Sequence, residues 1–96
     1  MESLIVTFTA KYKDTVKHKK LDYAEFKAIQ CSLLVNKEVI VANSLDGNYD
    51  FIKSNTYIIK TKGFSQDTLV AHLRHFTENC DVSGFANFIN LLGVEG

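Results

Sequence analysis

Leu4-Ile5-Val6-Thr7-Phe8-Thr9-Ala10-Lys11-Tyr12 is the stretch that decides the fold class. Leu4, Val6, Phe8, Ala10 and Tyr12 share one face of an extended chain, and β-branched residues dominate. Period-two alternation of this kind predicts a strand with one buried face. Such a strand needs other strands beside it and a second layer over its apolar side.

Working outward, the polar and basic residues from Lys13 to Lys20 read as a loop. Asp22 with Glu25 makes a capping box, and Leu21 with Phe26 makes a hydrophobic staple, so a short N-terminal helix is expected from Leu21 to about Gln30. A rival pattern begins at Ile29. Ile29, Cys31, Leu33 and Val35 alternate at strand period, and Asn36-Lys37 would then turn a two-residue hairpin into Glu38–Ala42. Alternatively, Asn36 ends a longer helix. The helix followed by the hairpin is the reading adopted, with the state of Ile29–Val35 left open between strand and helix. Val39–Ala42 is apolar on both faces and is expected as a central strand.

Farther on, Asp46-Gly47-Asn48 reads as a turn. Tyr49–Lys53 and Thr56–Lys62 are expected to pair as a hairpin about Ser54-Asn55. Ser65 should cap a helix running to about Asn79, with Leu69, Leu73, Phe76 and Cys80 along its stripe. Asp81 or Ser83 should start a last helix carrying Phe85, Phe88, Ile89 and Leu92, which Gly93 ends. The order predicts a single α+β domain over residues 1–96. Its antiparallel sheet has about four to five strands. Two C-terminal helices and the short N-terminal helix pack on it as a two-layer sandwich.

Composition narrows the function classes. Hydrophobic residues make up 46% of the chain and charged residues 23%, as in ordinary globular domains rather than disordered or fibrous chains. No stretch reaches the roughly 18–20 apolar residues of a membrane span. Met1-Glu2-Ser3-Leu4 lacks the basic start of a signal peptide. Cys31 and Cys80 are too few for a secreted disulfide framework, so they are read as reduced, buried thiols of a cytoplasmic protein. Eleven basic and eleven acidic residues cancel, and the pI of about 6.8 is far from that of a dedicated nucleic-acid protein.

Three groups of side chains are candidates for function. His72 and His75 stand three apart on an expected helix, close enough for two imidazoles to reach one metal, yet a zinc site usually needs three or four ligands. They are weak metal candidates, and no cofactor is expected. Lys11, Lys13, Lys17, Lys19 and Lys20 crowd one stretch and could follow a phosphate backbone or meet an acidic protein. Lysine edges also discourage strand aggregation, which is the plainer explanation. The last helix has no charged residue from Val82 to Val94, although an exposed helix normally keeps charge outside.

Phe85, Phe88, Leu91 and Leu92 are therefore the expected interface with a partner or a second copy. No nucleophile elbow, phosphate loop or paired-carboxylate motif is present. The sequence reads as a small non-enzymatic interaction or regulatory domain that self-associates through its C-terminal helix. Its partner is another protein, with no membrane involved. Nucleic-acid binding by the lysine stretch, or metal or small-ligand binding by the histidines, is the alternative.

Overall fold

The computed structural model describes residues 3–13, 28–42, 49 and 51–93. Four strands and two helices follow one another as β1 (Ser3–Tyr12), β2 (Gln30–Val35), β3 (Glu38–Val41), β4 (Phe51–Lys60), α1 (Gln66–Glu78) and α2 (Val82–Leu92). The class is α+β with an antiparallel sheet, as expected. The strand order is β3-β2-β1-β4, which puts β1 in the interior with a partner on each side.

The alternation in β1 sets the core. Leu4, Val6, Phe8, Ala10 and Tyr12 are all buried, and they share their face with Cys31, Leu33, Val35 and Ile59. Leu69 and Leu73 of α1 and Phe85, Ile89 and Leu92 of α2 close over that face. The Phe8 and Phe85 rings stack with centroids 4.1 Å apart, joining the middle of the sheet to α2.

Three expectations need correction. Ala28 and Ile29 are not helical. The Ile29 amide donates to the Lys11 carbonyl at 2.9 Å, and strand pairing follows from Gln30. Gln30–Val35 thus form a strand, because β1 supplies a long partner, while Ile29 stands exposed just before it. The start of the expected N-terminal helix, with its capping box and staple, lies outside the described residues. Asn36 and Lys37 form the expected hairpin turn with φ of 51° and 68°, both left-handed as a two-residue turn requires. Asn36 also ties the turn to β1, where its side-chain oxygen accepts from the Ile5 amide at 3.0 Å.

β3 is a sheet edge rather than a central strand. Its pairing with β2 is irregular between Leu33 and Leu34, and Val39 is 63% exposed. The hairpin about Ser54-Asn55 does not form either. One strand runs straight through those residues, so the described sheet has four strands and no fifth. Its register against β1 is unbroken from Ser3↔Lys60 to Tyr12↔Phe51. Cross-strand hydroxyl pairs hold the middle, Thr7 with Thr56 at 3.1 Å and Thr9 with Ser54 at 3.0 Å.

The helix ends are where the sequence places them. Ser65 caps α1 by accepting from the Thr68 amide at 3.2 Å, and Asp81 caps α2 by accepting from the Gly84 amide at 2.9 Å. Between the helices, Cys80 occupies a left-handed position with φ of 51°. The Asp81 amide reaches back to the Phe76 carbonyl and the Cys80 amide to the Thr77 carbonyl, the pattern of a Schellman stop.

Candidate interaction surfaces

The two histidines lie on α1 but turn to different neighbours. His72 donates from Nδ1 to the Thr68 carbonyl at 2.8 Å, and its ring stacks on Phe88 of α2 with centroids 5.4 Å apart and planes 9° from parallel. His75 sits beside Asn79 and edge-on to Phe76, and it lines a groove on the other flank of the helix. Among the described residues no group of three or more His, Cys, Asp or Glu side chains gathers to hold a metal.

Of the lysine stretch, Lys11 and Lys13 are among the described residues. Lys11 is buried, with its ammonium 4.6 Å from the centre of the Tyr49 ring. Lys13 is exposed at the end of β1. Lys17, Lys19 and Lys20 lie outside the described residues.

The last helix divides its apolar side chains. Phe85 and Leu92 belong to the core, and Phe88 is half-buried against His72 and Phe76. Leu91 stands alone at 78% exposure. Of the four side chains singled out on this helix, Leu91 and the outer part of Phe88 are the ones within reach of a partner. The core accounts for the apolar stripe, while Ser83, Ala86, Asn87, Asn90 and Leu91 leave an exposed face without charge.

Two features have no counterpart in the sequence reading. The first is a groove of about 570 Å³ between the β2–β3 hairpin and α1. Val35 and Ile40 line it from the sheet, and Val70 and Ala71 from the helix. Glu38, Asp67, Glu78 and Arg74 stand among its charged groups. Arg74 is tied to Glu78 at 2.8 Å, so acid is in excess there. Only the β3 edge and the adjoining helix together create this groove, and no linear motif announces it.

The second feature is a contact between the two cysteines. Cys31 at the start of β2 lies in hydrogen-bond contact with Cys80 at the α1–α2 turn. Burial, then that hydrogen bond, then the charge Cys80 would carry, push the Cys31 thiol well above the ordinary thiol range. A protonated thiol in this setting is a poor nucleophile.

No family model matches the chain, and no curated protein and no solved structure matches it. No described helix is long and apolar enough to cross a membrane.

Proposed function

We propose that the chain is a small, non-catalytic protein-interaction domain, and that its docking site for another protein is the groove between β3 and α1. The observation that carries this reading is an edge strand lying next to a helix with an open groove between them. An extended peptide can add to a strand edge through its main chain while the helix supplies a wall for its side chains. The apolar patches of Val35, Ile40, Val70 and Ala71 accept aliphatic side chains. The acids Glu38 and Asp67 favour a cationic partner. Side chains of an added strand alternate between its two faces. Glu38 and Ile40 stand two apart and line the same groove, so the fitting occupant is an extended segment whose lysine or arginine stands two residues from an aliphatic residue.

β3 has four residues, so the contact is short. An interface of that size belongs to transient binding, on the order of micromolar or weaker. Fluorescence anisotropy with a labelled extended peptide carrying lysine and valine two residues apart tests the proposal. Saturable binding that falls at least about tenfold in E38K/D67K supports it, since two charge contacts reverse sign. Equal binding by the variant, or by the same peptide with glutamate in place of lysine, contradicts it.

Self-association through α2 is the second reading, supported by Leu91 on a helix without charge. It predicts that Leu91→Glu lowers the native mass. An unchanged mass sinks it.

A further inference from the structure

We propose that β4 pairs with β4 of a second copy of this chain, antiparallel and centred on Asn55, so that two four-stranded sheets join into one. This stands independently of the groove, because β4 is the opposite edge of the sheet.

The two edges are built differently. Natural sheets blunt their edges with short strands, bulges and charge. β3 does so, with four residues, an irregular pairing beside it and Glu38 at its start. β4 carries Lys53 and Lys60, yet it is ten residues long and regular along its whole length, and no described strand lies on its outer side. The chain contains no proline to interrupt it.

The sequence of β4 is self-complementary about its centre. Reading outward from Asn55, Ser54 matches Thr56, Lys53 matches Tyr57, Ile52 matches Ile58, and Phe51 matches Ile59. A two-fold axis through Asn55, perpendicular to the sheet, places each of these residues opposite its match on the partner strand. Opposed residues in an antiparallel pair point to the same face, and here they do. Ile52, Ser54, Thr56 and Ile58 share the outer face with Thr7 and Thr9.

In this register Ile52 meets the partner's Ile58, and the reverse contact repeats it. These two isoleucines are 53% and 42% exposed in the single chain, on the face turned away from the helices. Ser54 meets the partner's Thr56, extending the hydroxyl ladder that already links β4 to β1. No lysine faces a lysine. Moving the axis by one residue along the strand breaks the isoleucine match, so the side chains themselves select the register. The occupant is a second copy rather than a foreign strand because one sequence supplies both halves of the match.

Sedimentation equilibrium of the full chain, from micromolar to near-millimolar concentration, tests this with two variants and one control. Wild type should dimerise within that range, as a small edge-to-edge interface allows. I52K/I58K places like charges opposite each other twice and should weaken the dimer at least tenfold. I52K/I58E places opposite charges at the same two contacts and should restore it. Both substitutions lie on the exposed outer face, and far-UV circular dichroism checks that each variant keeps its fold. A wild-type monomer throughout the range overturns the proposal. So does a dimer indifferent to I52K/I58K, or one that only Leu91→Glu disrupts.

Discussion

Cys31 and Cys80 interact across the fold, although one lies in β2 and the other in the turn between the helices. This contact ties the α1–α2 corner to the sheet. It also has a consequence for pH. Burial first, and the Cys80 contact second, raise the Cys31 pKa in the folded chain. The unfolded chain releases that proton at the ordinary thiol value of about 8.5. Stability from this group is therefore complete below that pH and declines as pH rises through it toward the folded value. The slope reaches at most about 1.4 kcal/mol per pH unit. Urea unfolding between neutral pH and mild alkali should show a shallower decline in Cys31→Ala than in wild type. Parallel curves would contradict the buried thiol.

Alkylation offers a second reading of the same contact. Cys80 is half-buried, whereas Cys31 is 4% exposed and holds its proton. Iodoacetamide at neutral pH should label Cys80 first, with Cys31 protected until urea unfolds the chain. Peptide mass mapping after short exposure reads the order, and prior labelling of Cys31 would contradict it.

Gly84 should not tolerate the usual helix-stabilising change. An added Cβ would lie 2.3 Å from Asp81 Oδ2, 2.7 Å from its Cγ and 2.9 Å from Phe76 Cδ1. The residue that would have to move is the cap of α2, which holds the Gly84 amide. Helix propensity favours alanine over glycine by about 1 kcal/mol in an open helix. Here the crowding and the disturbed cap should reverse the sign, so that Gly84→Ala costs about 1–3 kcal/mol. Denaturant titration measures it, and a stabilised variant would show that the corner relaxes freely.

The stack of Phe8 on Phe85 predicts the largest single loss. Both rings are buried, and they join the central strand to α2. Phe85→Ala should cost about 3–5 kcal/mol, a large share of the stability of a domain this size. A thermal midpoint within a few degrees of wild type would place Phe85 outside the core.

Much of this architecture is legible in the sequence, and the failures have physical reasons. The alternation from Leu4 to Tyr12 is carried by side chains that one face of a sheet must bury, so β1 and the core follow from it. Ser65, Asp81 and Gly93 mark helix ends through local hydrogen bonds and backbone freedom, which depend little on the rest of the fold. Ser54-Asn55 misleads because both residues favour turns in isolation. Their pairing with Thr9 and Phe8 overrides that preference, and the alternation of Ile52, Ser54, Thr56 and Ile58 runs through the supposed turn. Val39–Ala42 misleads differently. Apolar residues on two faces fit an interior strand, yet here they form an edge.

The interaction surfaces are less legible than the fold. Lys11 looks like part of a basic patch until Tyr49 is found over its ammonium. Leu91 is exposed, while Phe85 and Leu92 turn inward. The groove depends on how β3 meets α1, a relation that no spacing in the sequence encodes.

An amide-resolved nuclear magnetic resonance titration of the full chain with the lysine–valine peptide tests the central claim most directly. The account predicts shifts concentrated in β3, from Glu38 to Val41, and along the α1 residues Asp67, Val70 and Arg74, with little change in Leu91 or in β4. Shifts centred on α2, scattered over the surface, or absent at millimolar peptide would contradict it.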